Sequence, residues 1–179
     1  RRPKHGTNCS YVHCNHYEGG KLAAKHLIDC GCKNIVCLKG PQEMSSAKER
    51  YEGYREVCKE QGIEEQTIDC GYEFQDGIEI MEELLKKYPH TDGIIACNDM
   101  VAVSVYKVLH SKGIKVPEQI QLIGFDNIAI SSLMSPELTT IAQPIAEMGI
   151  KAASLIVDCN KDNKEYVFPA KLIKRETTL

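Results

Sequence analysis

Short apolar runs alternate with longer segments of helical periodicity along most of this 179-residue chain. Each apolar run has the length of a buried strand, and the segments between them repeat apolar residues at intervals of three and four. Strands that alternate with helices of roughly 12–16 residues predict a parallel sheet with right-handed crossovers. The predicted fold class is therefore α/β, with a doubly wound parallel sheet and flanking helices.

The pattern predicts strands at residues 11–14, 34–38, 67–70, 93–97, 119–124 and 172–173. Helices are predicted to follow Gly19-Gly20 and Ser45-Ser46 and to cover 77–88, 99–112 and 144–159, with 71–76 as a polar loop and 128–143 irregular. The last helix has no predicted strand near it in sequence, so we expect its apolar face to cover something other than this sheet. That face consists of Ile145, Met148, Ala152, Leu155, Ile156 and Cys159.

Polar pairs follow two of the apolar runs where the predicted strands end. One run ends in Asn98-Asp99 and another in Asp126-Asn127. Ligands of open α/β sheets bind just beyond the carboxyl ends of the strands, so Asn98 and Asp126 are expected to face one crevice. Asp99 is predicted to cap the following helix. Taken alone, Asn98 also fits a purely structural role, and Asp126-Asn127 also fits a plain turn.

Three further side chains are candidates for contacting a ligand in this crevice. Arg50 is either a solvated helix residue or a planar donor that reaches the crevice to bind hydroxyl or carboxylate oxygens. Tyr72 and Phe74 lie in the predicted loop at 71–76. One of them stacks on a ligand, or both cover the core, and the sequence favours neither alternative.

Composition and cysteine usage exclude several classes of protein. The net charge is −3, so no basic field would attract nucleic acid, and no apolar run is long enough to span a bilayer. Nine cysteines, an odd number at mostly apolar positions, do not resemble a disulfide framework. These features predict a reduced, cytoplasmic protein with no membrane association.

Neither a metal or cofactor site nor an enzymatic site is predicted. The most metal-like residues lack the Cys-x-x-Cys spacing of a structural zinc site, and they are Cys9, His13, Cys14, His16, Cys30 and Cys32. Phosphate-binding and nucleophile-elbow motifs are absent from the sequence. Asp99 and Asp126 are a poor carboxylate pair for glycoside hydrolysis if Asp99 caps a helix.

Several motifs resemble the effector-binding domain of lactose-repressor (LacI/GalR) family transcription regulators, in order and spacing, from about residue 8 onwards. They are Glu18-Gly-Gly-Lys-Leu-Ala-Ala, Arg50-Tyr-Glu-Gly-Tyr-Arg, Ile95-Ala-Cys-Asn-Asp-Met-Val-Ala, Val116-Pro-Glu-Gln-Ile-Gln-Leu-Ile-Gly-Phe-Asp-Asn, Leu138-Thr-Thr-Ile and Leu172-Ile-Lys-Arg-Glu-Thr-Thr-Leu. The resemblance implies a fold of two periplasmic-binding-protein-like lobes, a homodimer, and a sugar, nucleobase or nucleoside as effector. It also implies that Arg50, Asn98 and Asp126 contact the effector, with Tyr72 or Phe74 stacking on it.

The resemblance also implies a domain organisation. Residues 16–141 with 166–179 would form the C-terminal lobe, 1–15 a stub of the N-terminal lobe, and 142–165 a crossover and helix of that N-terminal lobe. The family's DNA-binding headpiece would precede residue 8, so operator DNA would be contacted only through that missing part. We therefore expect the effector-sensing domain of a bacterial repressor, which changes DNA affinity when it binds its ligand. The alternative from another class is a secreted sugar-binding protein of a transport system.

Overall fold

The structure, a computed structural model, describes residues 9–157 and 164–179. Its strands are β1 (Tyr11–Cys14), β2 (Ile35–Leu38), β3 (Gln66–Ile68), β4 (Gly93–Ile95), β5 (Gln121–Asp126), β6 (Thr139–Ala142), β7 (Glu165–Phe168) and β8 (Lys171–Ile173). Its helices are α1 (His16–Asp29), α2 (Ser45–Gln61), α3 (Phe74–Lys87), α4 (Asp99–Ser111) and α5 (Ile145–Val157), and a 3-10 helix spans Ala129–Ser132.

Six of the strands form the main sheet, in the order β3-β2-β4-β5-β6-β8. All neighbouring strands in it run parallel except β8, which is antiparallel to β6 at the edge. The strand order starts at β2 and moves outward in both directions, as in a doubly wound sheet. The predicted α/β class and parallel sheet are confirmed.

Helices cover both faces of this sheet, and two hydrophobic cores result. Helices α1 and α2 pack together on one face, and α3 and α4 pack together on the other. The central strands are buried on both faces because each face carries a helix pair. The largest fully buried side chains are Tyr54, Phe125, Leu27, Ile35, Leu38, Met81, Leu84, Ile94, Leu109, Leu122, Ile123 and Leu138.

A smaller unit is formed by β1, β7 and α5. Strands β1 and β7 pair in parallel, with Tyr11 opposite Glu165, and α5 packs against β1. None of the residues of α5 is buried, and Ile150 and Ile156 are 72% and 78% exposed. Most of its apolar stripe is therefore exposed and does not cover the main sheet, as the sequence predicts, although Met148 packs against the core on the α1 and α2 face. The last member of the predicted stripe, Cys159, lies outside the described residues.

Several element boundaries differ from the sequence predictions. Helix α3 begins at Phe74 instead of residue 77, because the Asp76 carboxylate accepts a 2.8 Å hydrogen bond from the Glu73 amide and closes the first turn. Residues 139–142, predicted to be irregular, form β6, whose pattern is not alternating because all but the last are buried. The C-terminal tail after β8 is partly buried, since Thr177 is buried and its carbonyl accepts from the Leu122 amide.

Candidate functional site

Arg50 lies on α2 and extends across the carboxyl edge of the main sheet. Its Nη1 donates to the Cys97 carbonyl at 2.5 Å, and its Nη2 donates to Asp126 Oδ1 at 3.2 Å. The guanidinium plane lies over the Phe125 ring, with Cζ 3.7 Å from the ring centroid. These contacts fix the planar side chain at the ends of β4 and β5. Arg50 is thus not a solvated helix residue, which was the structural alternative for this position.

A close approach of α1 to α2 places Arg50 at this edge. A Cβ atom on Gly20 would lie 2.0 Å from the Arg50 carbonyl oxygen, and one on Gly53 would lie 2.1 Å from the Tyr17 carbonyl oxygen. The two helices can therefore cross this closely only because both positions are glycine. The Gly-Gly and Arg-x-x-Gly motifs thus have a packing role that determines where the arginine lies.

Asp126 is the last residue of β5 and faces Arg50. Its Oδ1 accepts hydrogen bonds from Arg50 Nη2 and, at 2.7 Å, from Gln143 Nε2. The backbone here is unusual for residues with a side chain, with φ of 111° at Asp126 and 57° at Asn127. Burial raises the pKa of the Asp126 carboxyl, and the Arg50 charge and the Gln143 hydrogen bond oppose that rise. Strained backbone of this kind clusters at ligand sites.

Asn98 caps helix α4, a role that the sequence analysis assigned to Asp99. Asn98 Oδ1 accepts from the Val101 amide at 2.8 Å, and its Nδ2 donates to the Tyr72 carbonyl at 2.9 Å. The prediction that Asp99 is the cap is wrong, because Asp99 is already the first helical residue. The asparagine lies one position earlier, where the extended backbone lets its side chain reach the third residue of the helix.

Asp99 is instead buried beneath the site. Its Oδ1 accepts from Thr140 Oγ1 at 2.6 Å and its Oδ2 accepts from the Ile128 amide at 2.9 Å, so it ties the loop after β5 to α4. Burial raises the pKa of this carboxyl to about 6, against the opposing effect of both hydrogen bonds. Asp99 has no exposed surface, so it cannot contact a ligand directly.

The two aromatic candidates lie in different places. Tyr72 lies over the end of β2, where its ring approaches Gly40 and its hydroxyl is 3.5 Å from Ser46 Oγ. Phe74 is not in a loop, as predicted, because it is the first residue of α3. Its ring faces α4, with Lys107 Nζ 5.5 Å from the ring centroid. Tyr72 is therefore bonded to Asn98, whose neighbour Cys97 accepts from Arg50. Phe74 contacts a different surface.

Three residues that hold the arginine and aspartate in place were not among the predicted site residues. His16 Nδ1 accepts from Arg50 Nε at 3.4 Å, and the His16 ring lies 5.9 Å from the Phe125 ring. Gln143 binds Asp126 from the segment that connects β6 to α5. The only sequence feature that could have indicated Phe125 as a site residue is its position next to Asp126. Gln143 is distant in sequence from every predicted strand end, whereas His16 follows the predicted strand 11–14 by two residues.

Arg175, in the C-terminal motif that begins at Leu172, stabilises the loop that follows β5. Arg175 Nη1 donates to the Leu138 carbonyl at 2.7 Å and to Ser131 Oγ at 3.1 Å. Its Nη2 donates to Asn127 Oδ1 at 2.7 Å. The last residues of the chain therefore clamp the loop that carries the left-handed backbone of residues 126 and 127.

Metal ligands and membrane spans are absent from the described part of the chain. Within residues 9–157 and 164–179, no three His, Cys, Asp or Glu side chains are grouped to hold a metal ion. No helix in the same residues is long and apolar enough to cross a membrane.

Comparisons with known proteins agree with this architecture. A family model for periplasmic binding protein-like domains matches residues 24–178. The ribose operon repressor of Halalkalibacterium halodurans is 33% identical over 175 residues, which cover 96% of this chain and 53% of that protein. The transcriptional repressor PurR of Pasteurella multocida is 36% identical over 152 residues, or 83% of this chain and 46% of that protein. This chain thus spans about half the length of these relatives.

A solved structure extends the likeness to three dimensions. A LacI family transcriptional regulator from Enterococcus faecium with bound ribose superposes with a TM-score of 0.88 at 31% identity. The match covers 98% of this chain and 67% of that one. The chain therefore belongs to the family of periplasmic binding protein-like domains, in the form that serves as the effector-binding domain of LacI-family transcriptional regulators.

Proposed function

We propose that this chain is the effector-sensing part of a bacterial transcriptional repressor and that a small sugar binds at the carboxyl edge of its main sheet. The observation that carries this proposal is the Arg50–Asp126 pair, bonded at 3.2 Å where β5 ends. A guanidinium beside a carboxylate offers donors and acceptors to vicinal hydroxyls, which are the recognisable groups of a sugar. The edge is also where open α/β sheets bind ligands.

Each site residue has a distinct role in this proposal. An arginine has five N–H donors, and the hydrogen bonds to His16, Cys97 and Asp126 leave donors for a ligand. Both hydrogen bonds to Asp126 described above end on Oδ1, so Oδ2 is the atom that would accept from a sugar hydroxyl. The Asn98 amide has a second N–H beyond the one bonded to Tyr72. Tyr72, whose carbonyl accepts from Asn98, would stack on the sugar face, because the Phe74 ring faces α4 instead.

The relatives favour a pentose over a nucleobase. One relative is a ribose operon repressor, and the Enterococcus faecium regulator binds ribose in its solved structure. The nucleobase that the family resemblance implies as an alternative effector stays in the set of ligands to test. Since relatives of this kind are regulators, the comparisons favour a regulator over the transport protein, and an enzyme has no support from a named relative.

We also propose a two-lobe organisation for the complete protein. Residues 16–141 with the C-terminal segment form one lobe, and β1, the crossover and α5 belong to the other. Strand β7 goes with the smaller unit because it pairs with β1. A ligand that binds between the lobes would favour the closed arrangement. In a cytoplasmic homodimer, that shift would change the affinity of an attached headpiece for operator DNA by about 1–3 kcal/mol.

A ligand panel on the complete protein tests this function. We expect a thermal-shift assay with ribose, other pentoses, hexoses, adenine and guanine to show stabilisation by a pentose, since a ligand that binds only the folded state raises the melting temperature. The same ligand should change operator binding in a mobility-shift assay. If the protein binds sugar but no DNA under any condition, it is a transport-type binding protein. Turnover of a sugar would contradict the proposal in favour of an enzyme.

A further inference from the structure

Two hydrogen bonds join the loop after β3 to the loop after β4 at the wall of the proposed sugar site. Cys97 Sγ donates to the Gly71 carbonyl at 3.3 Å, and Asn98 Nδ2 donates to the Tyr72 carbonyl at 2.9 Å. Strand β2 lies between β3 and β4 in the sheet. The turn after β2 packs against both loops, since Gly40 lies next to Tyr72 and Cys97.

Cys70 and Cys97 lie close together at this junction, since Cys97 Sγ is 3.3 Å from the carbonyl oxygen of Gly71, the residue after Cys70. Both are free, and they are 8% and 4% exposed in the same hydrophobic cluster. The pKa of Cys97 is raised, first by its hydrogen bond with the Cys70 sulphur and then by burial. Cys70 is the sulphur that an oxidant would meet first, because it lines a surface cavity.

A surface cavity gives small molecules a route to Cys70. The cavity has a volume of about 470 Å³, and its walls include Gly40, Cys70 and Gly71. Gly40 packs closely against both loops and leaves no room for a side chain. A Cβ atom there would be 3.0 Å from the Tyr72 ring and 3.1 Å from Cys97 Cβ. Cys70 is therefore reachable by a small oxidant from this cavity.

We propose that Cys70 and Cys97 form a reversible disulfide that changes the wall of the ligand site. A small disulfide such as oxidised glutathione accepts the two electrons. The Cys70 thiolate attacks one of its sulphurs and releases a first thiolate, which gives a mixed disulfide on Cys70. Cys97 then loses its proton and displaces a second thiolate, so the protein ends with one S–S bond, and the oxidant ends as two thiols after protonation.

The disulfide would reach the ligand through the Cys97 backbone. Bonding to Cys70 removes the thiol proton that Cys97 donates to the Gly71 carbonyl. The Cys97 carbonyl is also the acceptor for Arg50 Nη1, and its neighbour Asn98 holds Tyr72. We therefore expect weaker sugar binding in the oxidised protein, at least tenfold. This consequence rests on the proposed sugar-binding function, whereas formation of the disulfide does not.

Mass spectrometry of the complete protein tests the bond itself. After equilibration with oxidised glutathione and blocking of free thiols, a peptide pair joined through Cys70 and Cys97 should appear and should disappear on reduction. Cys70→Ser should abolish it. Cys32→Ser, which removes a buried thiol elsewhere, should leave it intact. Absence of the linked peptide in the folded wild-type protein would overturn the proposal.

A second measurement detects a change in the wall of the site without any sugar. Hydrogen–deuterium exchange of peptides covering 70–73 and 97–101 should change on oxidation in the wild type and in Cys32→Ser, and not in Cys70→Ser. Unchanged exchange despite a formed disulfide would refute the effect on the site wall. Calorimetry with ribose should then show the tenfold loss on oxidation. If the reduced protein binds no sugar, the proposed function fails, and the linked peptide and the exchange data still decide the disulfide.

Discussion

Arg50 Nη2 donates a hydrogen bond of 3.2 Å to Asp126 Oδ1, and this contact joins helix α2 to the end of strand β5. The arginine side chain is 12% exposed and the aspartate 31%, so the pair is largely shielded but still open to a ligand. Each partner also has a second contact, because the guanidinium lies over the Phe125 ring and the carboxylate accepts a hydrogen bond from Gln143. The site is therefore organised before any ligand arrives, which lowers the cost of binding.

Arg50→Lys is expected to weaken sugar binding by about tenfold or more. A lysine has no planar fork to lie on Phe125 while it bonds Cys97 and Asp126. One charge-assisted hydrogen bond contributes about 1.5–3 kcal/mol, and 1.4 kcal/mol corresponds to a factor of ten in affinity. Isothermal titration calorimetry with the best ligand of the panel measures the change.

The matched control for this change is Arg55→Lys, at an exposed arginine on the same helix. It should leave affinity unaltered and the free energy of unfolding within about 0.5 kcal/mol. Equal affinities for Arg50→Lys and the wild type would show that the guanidinium does not contact the ligand.

Gly20→Ala is expected to lower the free energy of unfolding by about 1–3 kcal/mol and to weaken ligand binding as well. The new methyl group would lie 2.0 Å from the Arg50 carbonyl oxygen, so α1 must move away from α2 and shift the arginine. Gly149→Ala on α5 is the control, because nothing lies within 4 Å of its Cβ position. A helix-interior alanine there should be neutral or stabilising by up to about 1 kcal/mol. Urea unfolding that gave both variants the same stability would contradict this packing role.

Asp99 should make the folded protein less stable as pH rises from about 4 to about 6. Its pKa is about 6 in the folded state and about 3.9 in an unfolded chain, so in this window the folded state holds a proton that the unfolded state has released. The loss reaches about 3 kcal/mol above pH 6, at 1.36 kcal/mol for each unit of pKa difference. Asp99→Asn should flatten this part of the pH dependence, which urea titrations at pH 4.5, 5.5 and 6.5 would measure. Parallel curves for the two proteins would rule the effect out.

Arg175→Gln should destabilise the loop that follows β5. The substitution removes hydrogen bonds to Asn127, Ser131 and the Leu138 carbonyl, at a cost of about 2–3 kcal/mol in the free energy of unfolding. Amide exchange of residues 126–133 should become faster. The exposed neighbour Lys174 provides the control, and Lys174→Gln should change neither quantity. Unchanged exchange in Arg175→Gln would show that the C-terminal clamp is dispensable.

The fold class could be predicted because periodicity is a local property. Buried strands and amphipathic helices reveal themselves over a few residues, and β2, β4 and β5 were placed within two residues of their observed starts. Strand β7 was not predicted, and its partner β1 is far away in sequence. The start of α3 was missed because a glutamate at the cap position is an uncommon signal.

Only the site residues that follow predicted strands or lie in recognisable motifs could be predicted from the sequence. Asn98 and Asp126 follow strands, so the topology brings them to one edge. Whether Arg50 reaches that edge depends on the crossing of α1 and α2, which no local pattern describes. The capping residue was misassigned by one position because Asn and Asp are equally good caps, and only tertiary contacts to Thr140 and Ile128 bury the aspartate.

Calorimetric titration of ribose into the complete protein and its Asp126→Ala variant tests the central claim most directly. We expect the wild type to bind and the variant to lose at least about tenfold in affinity, because the acceptor for the sugar hydroxyls and the partner of Arg50 are removed together. Asp69→Ala, at an exposed aspartate paired with Lys39 beyond β3, should bind like the wild type. Equal ribose affinity in the wild type and a folded Asp126→Ala variant would show that the ligand binds elsewhere.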